Sequence, residues 1–419
     1  MSTELSPTPY NFRSFIIPAR HPASRFDYST TRVCAIIPTF LPSEITLKLV
    51  RDLVRWNKDL LVYVVDDCSP EEHIESARLL RRIASVSYHR VILLRTPTNK
   101  LKAGALNHAL AYIGNTEREQ PHVVLTLDDD VVIAETTVET VVSELMRFPH
   151  LGAVCSECRV YNKNTNLLTR LQGLEYLGFN AIRLADQGFL RGPLVMHGML
   201  TAFRGSALRA VGGFMEGHLI EDYEVTTRLK ALGWSVRSAH NAPAWTVVPE
   251  TISRLWRQRT RWSYGGITVV AKATSRLSVF QDILGHTVFL STLLMVAVLY
   301  FSQGNGVVPP LIAELIIALS LMQLFIWYSF QLWLMRGYAE RDALDWLIRA
   351  TLVPELAYGY LTTFALLGSY FFHLFSSLKR LVEKGGGSMM RTLFEWGSDV
   401  FRVCGYAERS WGNRRKSLI

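Results

Sequence analysis

The sequence predicts a doubly wound, mostly parallel α/β domain followed by interfacial and transmembrane α-helices. Three observations predict it. Up to about residue 250, short β-rich apolar runs alternate with segments of helical period, the pattern of a parallel sheet covered by helices. Two of those runs end in carboxylates, Asp66 with Asp67 and Asp128 with Asp129 and Asp130, and open α/β sheets bind ligands beyond the carboxyl ends of their strands. Beyond about residue 280 the apolar residues come in long blocks with little charge.

The elements follow in order. Residues 33–40 (VCAIIPTF) and 60–69 (LLVYVVDDCS) read as strands ending in polar turns, and 43–57 between them has helical spacing with Ser43 as its cap. A third strand is expected at 89–96, a helix over 102–113, a fourth strand at 121–130 and a helix over 135–148. Residues 283–302 contain no formal charge, and about 20 helical residues cross a hydrocarbon core of about 30 Å. Residues 307–335, with Glu314 as their one acid, and 350–375, interrupted by Pro354 and Glu355, give about three candidate spans in all. The resulting division is an extended cytosolic lead-in at 1–32, a sheet domain at 33–250, amphipathic interfacial helices at 251–282, spans at 283–376 and a basic tail at 377–419.

Charge orients these spans. Arg254, Arg257, Arg259, Arg261, Lys272 and Arg276 precede the first block, and Arg336, Arg341 and Arg349 follow the second. The positive-inside rule therefore puts the sheet domain and the second loop in the cytosol; the membrane expected for the spans is the plasma membrane. The tail is also basic, so either the third block doubles back or the rule fails there. The formal net charge of +9 suits an anionic partner, a membrane surface or a phosphorylated substrate. No basic, aromatic-studded module suggests nucleic acid. The lead-in has four prolines and no apolar signal region. Five cysteines, with Cys155 and Cys158 as a lone C-x-x-C, read as free thiols rather than a disulfide or zinc framework.

Several residues are candidates for chemistry. Adjacent carboxylates at roughly 4 Å repel by about 4 kcal/mol per pair at an effective dielectric of about 20, so the Asp128–Asp130 triplet calls for solvent or a cation. Asp128 and Asp130 could ligate a hard divalent ion, or simply cap the next helix. A carboxylate at Asp66 or Asp67 could accept hydrogen bonds from a ribose or base edge. Glu221 and Asp222 stand between an apolar residue and an amphipathic helix, and Asp222 is a candidate general base or a helix cap. In residues 254–266 (RLWRQRTRWSYGG), Gln258, Arg261 and Trp262 combine an amide, a planar cation suited to phosphate and an aromatic face, although arginines there could also form only a headgroup-facing surface.

Ordered segments now point to a family. IIPTF, VVDDCS, KAGALNHAL, LDDDV, LTAFRGSALRAVGGF with IEDYEVTTRL, and QRTRW resemble the membrane-bound family 2 glycosyltransferases, the group that holds cellulose, chitin and hyaluronan synthases. The resemblance covers about residues 33–265 and implies a nucleotide-sugar-binding fold of the GT-A-like type. It implies that Asp67 holds a uridine or ribose, that Lys102 and Gly104 line the donor site, and that Asp128 and Asp130 serve Mg²⁺ or Mn²⁺ and the diphosphate. Asp222 matches the general base. Gln258, Arg261 and Trp262 match a Q-x-x-R-W set bracing the diphosphate and bordering the acceptor. His197 and Gly198 align with the segment below the acceptor terminus, where cellulose synthases carry a cysteine. The sequence departs from many relatives in having no helices ahead of the catalytic domain and about three after it.

The expected function is inverting, metal-dependent transfer from a nucleotide sugar, UDP-linked by resemblance, to a growing polysaccharide passed into or across the membrane. Inversion follows from a single in-line displacement with one base and no nucleophilic residue. Alternatives are single-sugar transfer to a lipid or isoprenoid carrier, and a non-catalytic membrane transporter or scaffold in which Glu314, Glu355 and His373 line a path. Expected partners are the donor, a glycan or lipid acceptor, membrane lipids, and partner subunits or further copies of the chain for translocation.

Overall fold

The computed structural model describes residues 30–116, 120–185, 190–273, 309–385 and 388–406, with Arg276, Val279, Phe280 and Tyr300 as isolated residues between them. Most of the lead-in, the first candidate span at 283–302 apart from Tyr300, and the last 13 residues of the tail, 407–419, lie outside the described residues.

Eight strands form one sheet: β1 (Val33–Thr39), β2 (Leu61–Asp66), β3 (Val91–Arg95), β4 (Val123–Leu127), β5 (Val131–Ile133), β6 (Leu151–Val160), β7 (Leu200–Arg204) and β8 (Ser235–Thr246). Their order is β3-β2-β1-β4-β7-β6-β8-β5. The first four are parallel, as the strand–helix alternation predicts. β7 then runs antiparallel to both β4 and β6, while β8 is parallel to β6 and antiparallel to β5. The sheet is therefore mixed, with a doubly wound half and a second arm that the sequence pattern did not predict.

Alternation within β1 shows why both faces are covered. Ala35 and Ile37 point into one core with α1 (Glu44–Trp56), α2 (Ile74–Ala84) and α4 (Thr137–Arg147). Cys34 and Ile36 point into the other, with α3 (Leu101–Thr116), α6 (Gly205–Ala210) and α7 (Glu221–Ala231). A strand buried on both sides reads as a continuous apolar run rather than an alternating one, which is how β1, β2 and β4 appear in the sequence. Burying each such side chain stabilises the fold by about 1.5–3 kcal/mol.

α5 (Leu167–Ala185) and α8 (Ile252–Lys272) carry the chain to its apolar part. Thr251 caps α8, its side chain accepting from the Arg254 N–H. α9 (Pro310–Leu334) is 25 residues and about 37 Å long, with most of its side chains exposed. α10 (Ala343–Thr351) opens with a capping box between Asp342 and Asp345. Leu352, at φ 59°, breaks the chain before α11 (Val353–Gly385). The block 350–375 is interrupted as expected, but at Leu352, just ahead of Pro354. Pro354 falls in the first turn, where its missing N–H has no intrahelical partner to lose. Pro310–Gly337 and Val353–Glu383 are long and apolar enough to cross a membrane.

α12 (Ser388–Val403) returns antiparallel along α11. Phe375 meets Phe394 and Phe401 at 5.1 and 4.9 Å between ring centroids, Phe372 meets Phe401 at 5.2 Å, and Lys379 Nζ donates to Ser398 Oγ at 2.9 Å. Gly368 makes room for the Tyr406 ring, whose hydroxyl donates to the Ala365 carbonyl at 3.0 Å. Trp256 Nε1 on α8 donates to the Cys404 carbonyl at 2.8 Å. The third apolar block is thus part of one continuous helix, and it is the chain after it, up to Tyr406, that folds back along it.

The loop between α9 and α10 is anchored on the sheet domain. Lys163 Nζ lies 2.7 Å from Asp345 and 3.4 Å from Asp342, and Arg170 Nη1 bonds Asp342 Oδ1 at 2.8 Å and Asp345 Oδ1 at 2.9 Å. Arg349 Nη1 ties Gln331 of α9 at 2.9 Å and Glu355 of α11 at 2.8 Å, while its Nη2 donates to the Leu174 carbonyl of α5 at 3.3 Å. The loop and the sheet domain are therefore joined by direct ion pairs and hydrogen bonds.

Candidate active site

The parallel half of the sheet brings the carboxyl ends of β2 and β4 to one edge, where the N-termini of α3 and α7 also arrive. Asp66 and Asp67 close β2, and both serve local structure. Asp66 accepts from the Ser69 N–H at 3.1 Å and from Arg95 Nη1 at 3.0 Å. Asp67 is fully buried, and its Oδ1 accepts from the Lys100 N–H at 2.8 Å and the Thr96 hydroxyl at 3.0 Å. It thus fixes the turn that leads into α3. Leu101, at φ 60°, completes that turn and puts Lys102 in the helix's first turn. Gly104 follows because a Cβ there would run into Lys100 and come within 3.3 Å of Glu216.

Lys102 is the hub. Its Nζ lies 2.7 Å from Asp128 Oδ1 and 2.7 Å from Glu221 Oε1. Burial opposes its charge, yet the carboxylates of Asp128, Glu221 and Asp222 hold the ammonium well above its usual range. Glu221, which sequence reasoning noticed beside Asp222 without giving it a role, is held ionised by Lys102 against the effect of burial. Asp222 feels the Lys102 charge more weakly, and its Oδ1 accepts from the Tyr223 N–H at 2.7 Å. Burial and the adjacent Glu221 push its carboxyl up to about 7.

Gly198 lies between these groups. A Cβ there would meet Lys102 Nζ and would stand 3.3 Å from Asp128 Oδ2 and 3.4 Å from Asp222 Oδ2. Both carboxylates therefore face one small volume that only a glycine leaves open. The expected acceptor-side residue is placed between the expected donor-side carboxylate and the expected base.

The aspartate triplet divides its tasks. Asp129 turns away, accepting from the Thr39 hydroxyl at 2.6 Å, while its carbonyl accepts from Thr46 Oγ1 at 3.0 Å. Asp130 accepts from the Thr246 hydroxyl at 3.1 Å. Burial, Asp128 and Asp129 push the Asp130 carboxyl up to about 7. Among the described residues no group of three or more His, Cys, Asp or Glu side chains is arranged to hold a metal ion. The protein itself offers the carboxylate pair Asp128 and Asp130, both hard oxygen donors.

His197 is held by its ring. Nε2–H donates to the Ser156 carbonyl of β6 at 2.6 Å, and burial with the Arg183 charge pushes its pKa down to about 3, so it is neutral. Its Nδ1 and the Gln258 Oε1 are buried without a hydrogen-bond partner among the described residues. Trp262 packs on the larger core with the Arg259 guanidinium 4.4 Å from its ring centroid. Arg259 in turn pairs with Glu175 and bonds the Tyr358 hydroxyl of α11 at 2.9 Å. The charge of Arg261 reaches Glu221, which places α8 at the rim of the cluster.

A mixed α/β sheet thus carries, beyond its strand ends, a lysine faced by Asp128 and by the first-turn carboxylates of α7. Residues 123–372 match the family described as glycosyl transferase family group 2, and the chain belongs to that family. Poly-beta-1,6-N-acetyl-D-glucosamine synthase of Staphylococcus epidermidis is 30% identical over 174 residues, 42% of this chain and 40% of that protein. The corresponding synthase of Staphylococcus aureus is 29% identical over the same length. The match thus spans 40% of the length of these curated relatives. A mannosyltransferase from Pyrobaculum calidifontis, solved in complex with GDP-Man and Mn²⁺, superposes with a TM-score of 0.53 at 20% identity, covering 75% of this chain and 89% of that one. That likeness shows a shared GT-A-like fold.

Proposed function

We propose that the protein is an inverting, metal-dependent glycosyltransferase that moves a sugar from a UDP-sugar to a growing polysaccharide at the plasma membrane. The observation that carries this reading is the meeting of Asp128, Lys102, Glu221 and Asp222 around Gly198. In this reading the chain has a cytosolic catalytic domain at 33–250, interfacial helices at 251–282 and spans at 283–376.

Asp222 is the general base. It takes the proton from an acceptor hydroxyl as that oxygen attacks the anomeric carbon, and the bond from that carbon to the diphosphate breaks on the opposite face. A carboxyl lifted by burial and by Glu221 is a stronger base than an ordinary aspartate, which suits this task. Asp128 and Asp130 would hold Mg²⁺ or Mn²⁺, whose charge would offset that of the leaving diphosphate. Lys102 keeps Asp128 and Glu221 in place, Asp67 sets the loop under the nucleoside, and Gly104 permits the close approach of α3. Gln258 and Arg261 brace the diphosphate from α8. Trp262, His197 and Gly198 border the acceptor, with the unpaired His197 Nδ1 and Gln258 Oε1 as acceptors for sugar hydroxyls. The staphylococcal relatives are named for an N-acetylglucosamine polymer, which makes UDP-N-acetylglucosamine the first donor to test.

Detergent-purified protein incubated with Mn²⁺ or Mg²⁺ and radiolabelled nucleotide sugars should yield a high-mass product insoluble in lipid solvents. A single-sugar, lipid-soluble product would replace polymer synthesis with transfer to a lipid carrier. No turnover with any donor would sink the reading.

A further inference from the structure

We propose that Glu340, on the loop between the two candidate membrane helices, is a positioning residue for Asp130, so that the seating of that helix pair is coupled to the donor site. The inference rests on the reading above that Asp130 faces the donor.

The connection can be followed bond by bond. Glu340 Oε1 accepts from Trp245 Nε1 at 2.9 Å and from Arg159 Nη1 at 2.8 Å. One oxygen therefore gathers β8 and β6. Trp245 stands opposite Val132 and Thr246 opposite Val131 in the β5–β8 ladder, directly after Asp130. The Thr246 hydroxyl donates to Asp130 Oδ2 at 3.1 Å. β5 has only three residues and is an edge strand, too short to fix its own position. The end of β8 sets the direction of Asp130; its backbone is paired with β6 at Arg159–Trp245 and Val160–Thr246, and Glu340 ties the two side chains of the first of those pairs together.

Two features separate this from ordinary charge pairing. Arg159 already has a carboxylate, Glu157, at 3.0 Å, so Glu340 is not needed to neutralise it. The loop is also anchored without the Glu340 side chain, through Lys163 and Arg170 to Asp342 and Asp345. What Glu340 adds is the hold on Trp245, delivered from a loop whose two ends run into α9 and, through α10, into α11.

The test uses the full chain in detergent. In hydrogen exchange, Glu340→Ala should accelerate exchange at 128–133 and 240–246 and leave β2 and β3 unchanged. Glu340→Gln should restore protection, because its amide oxygen still accepts from Trp245. In kinetics, Glu340→Ala should raise the KM for the nucleotide sugar by roughly 3- to 10-fold with kcat nearly unchanged. Adding Thr246→Val should make it no worse than the more severe single variant. Unchanged exchange at 128–133, or KM effects that multiply, would overturn the proposal. Exchange needs no turnover, so an inactive wild type would remove the functional reading while exchange still decides this one.

Discussion

Lys163 and Lys102 each meet two carboxylates, but their surroundings differ in the charge left over. Around Lys163, Arg170 supplies a second cation, so two positive groups face Asp342 and Asp345. The Arg170 hydrogen bonds hold the Asp342 carboxyl well below its usual range. Around Lys102 a single ammonium faces Asp128, Glu221 and Asp222, with Asp130 close to Asp128, and both Asp130 and Asp222 are pushed up to about 7. A balanced cluster holds two parts of a protein together. A cluster with surplus negative charge costs stability unless something positive, or a proton to be moved, belongs there. The first cluster docks the loop between α9 and α10, and the second is the one we assign to chemistry.

The comparison can be broken at several points. Asp345 is fully buried, so Asp345→Ala leaves Lys163 and Arg170 with the half-exposed Asp342 alone and should destabilise the folded protein by about 3 kcal/mol, read as a fall in thermal midpoint in detergent. An Asp345→Ala protein as stable as wild type would show that the dock is not structural.

A smaller effect, with a sign that depends on pH, is expected at Asp222. Its folded pKa is raised from 3.8 to about 7, so between these values the folded state binds the extra proton. Its contribution to stability is full below about pH 4 and is lost as pH rises through about 7. The unliganded wild type should therefore lose stability across that window, and Asp222→Asn should flatten the loss. Transfer activity should move the opposite way, rising with pH as the base ionises. The smallest effect is expected at the exposed Lys48–Asp52 pair on α1, where Lys48→Ala should change stability by no more than about 1 kcal/mol.

Much of the parallel half of the sheet could be read from the chain, because strands buried on both faces announce themselves as unbroken apolar runs. The carboxylates at the ends of β2 and β4 were visible for the same reason. Asp67 shows the limit of such reading: a buried aspartate that fixes a turn and one that awaits a ligand look alike in sequence, and here the carboxylate also bonds Lys100 and Thr96. Glu221 was passed over because its partner, Lys102, lies on another helix. The loop dock left no local signal at all. Lys163 and Asp345 are 182 residues apart, and Asp342 and Asp345 pass for an ordinary helix cap. The antiparallel β7 and the return of α12 likewise depend on contacts between distant segments, such as Phe375 with Phe394 and Phe401.

The most direct test sets the two clusters against each other in one assay. Transfer from radiolabelled UDP-N-acetylglucosamine with Mn²⁺ is measured per folded molecule for wild type, Asp222→Asn and Asp342→Asn. The account predicts a loss of about 10²- to 10⁴-fold for Asp222→Asn and a rate close to wild type for Asp342→Asn. Full transfer by Asp222→Asn would contradict it.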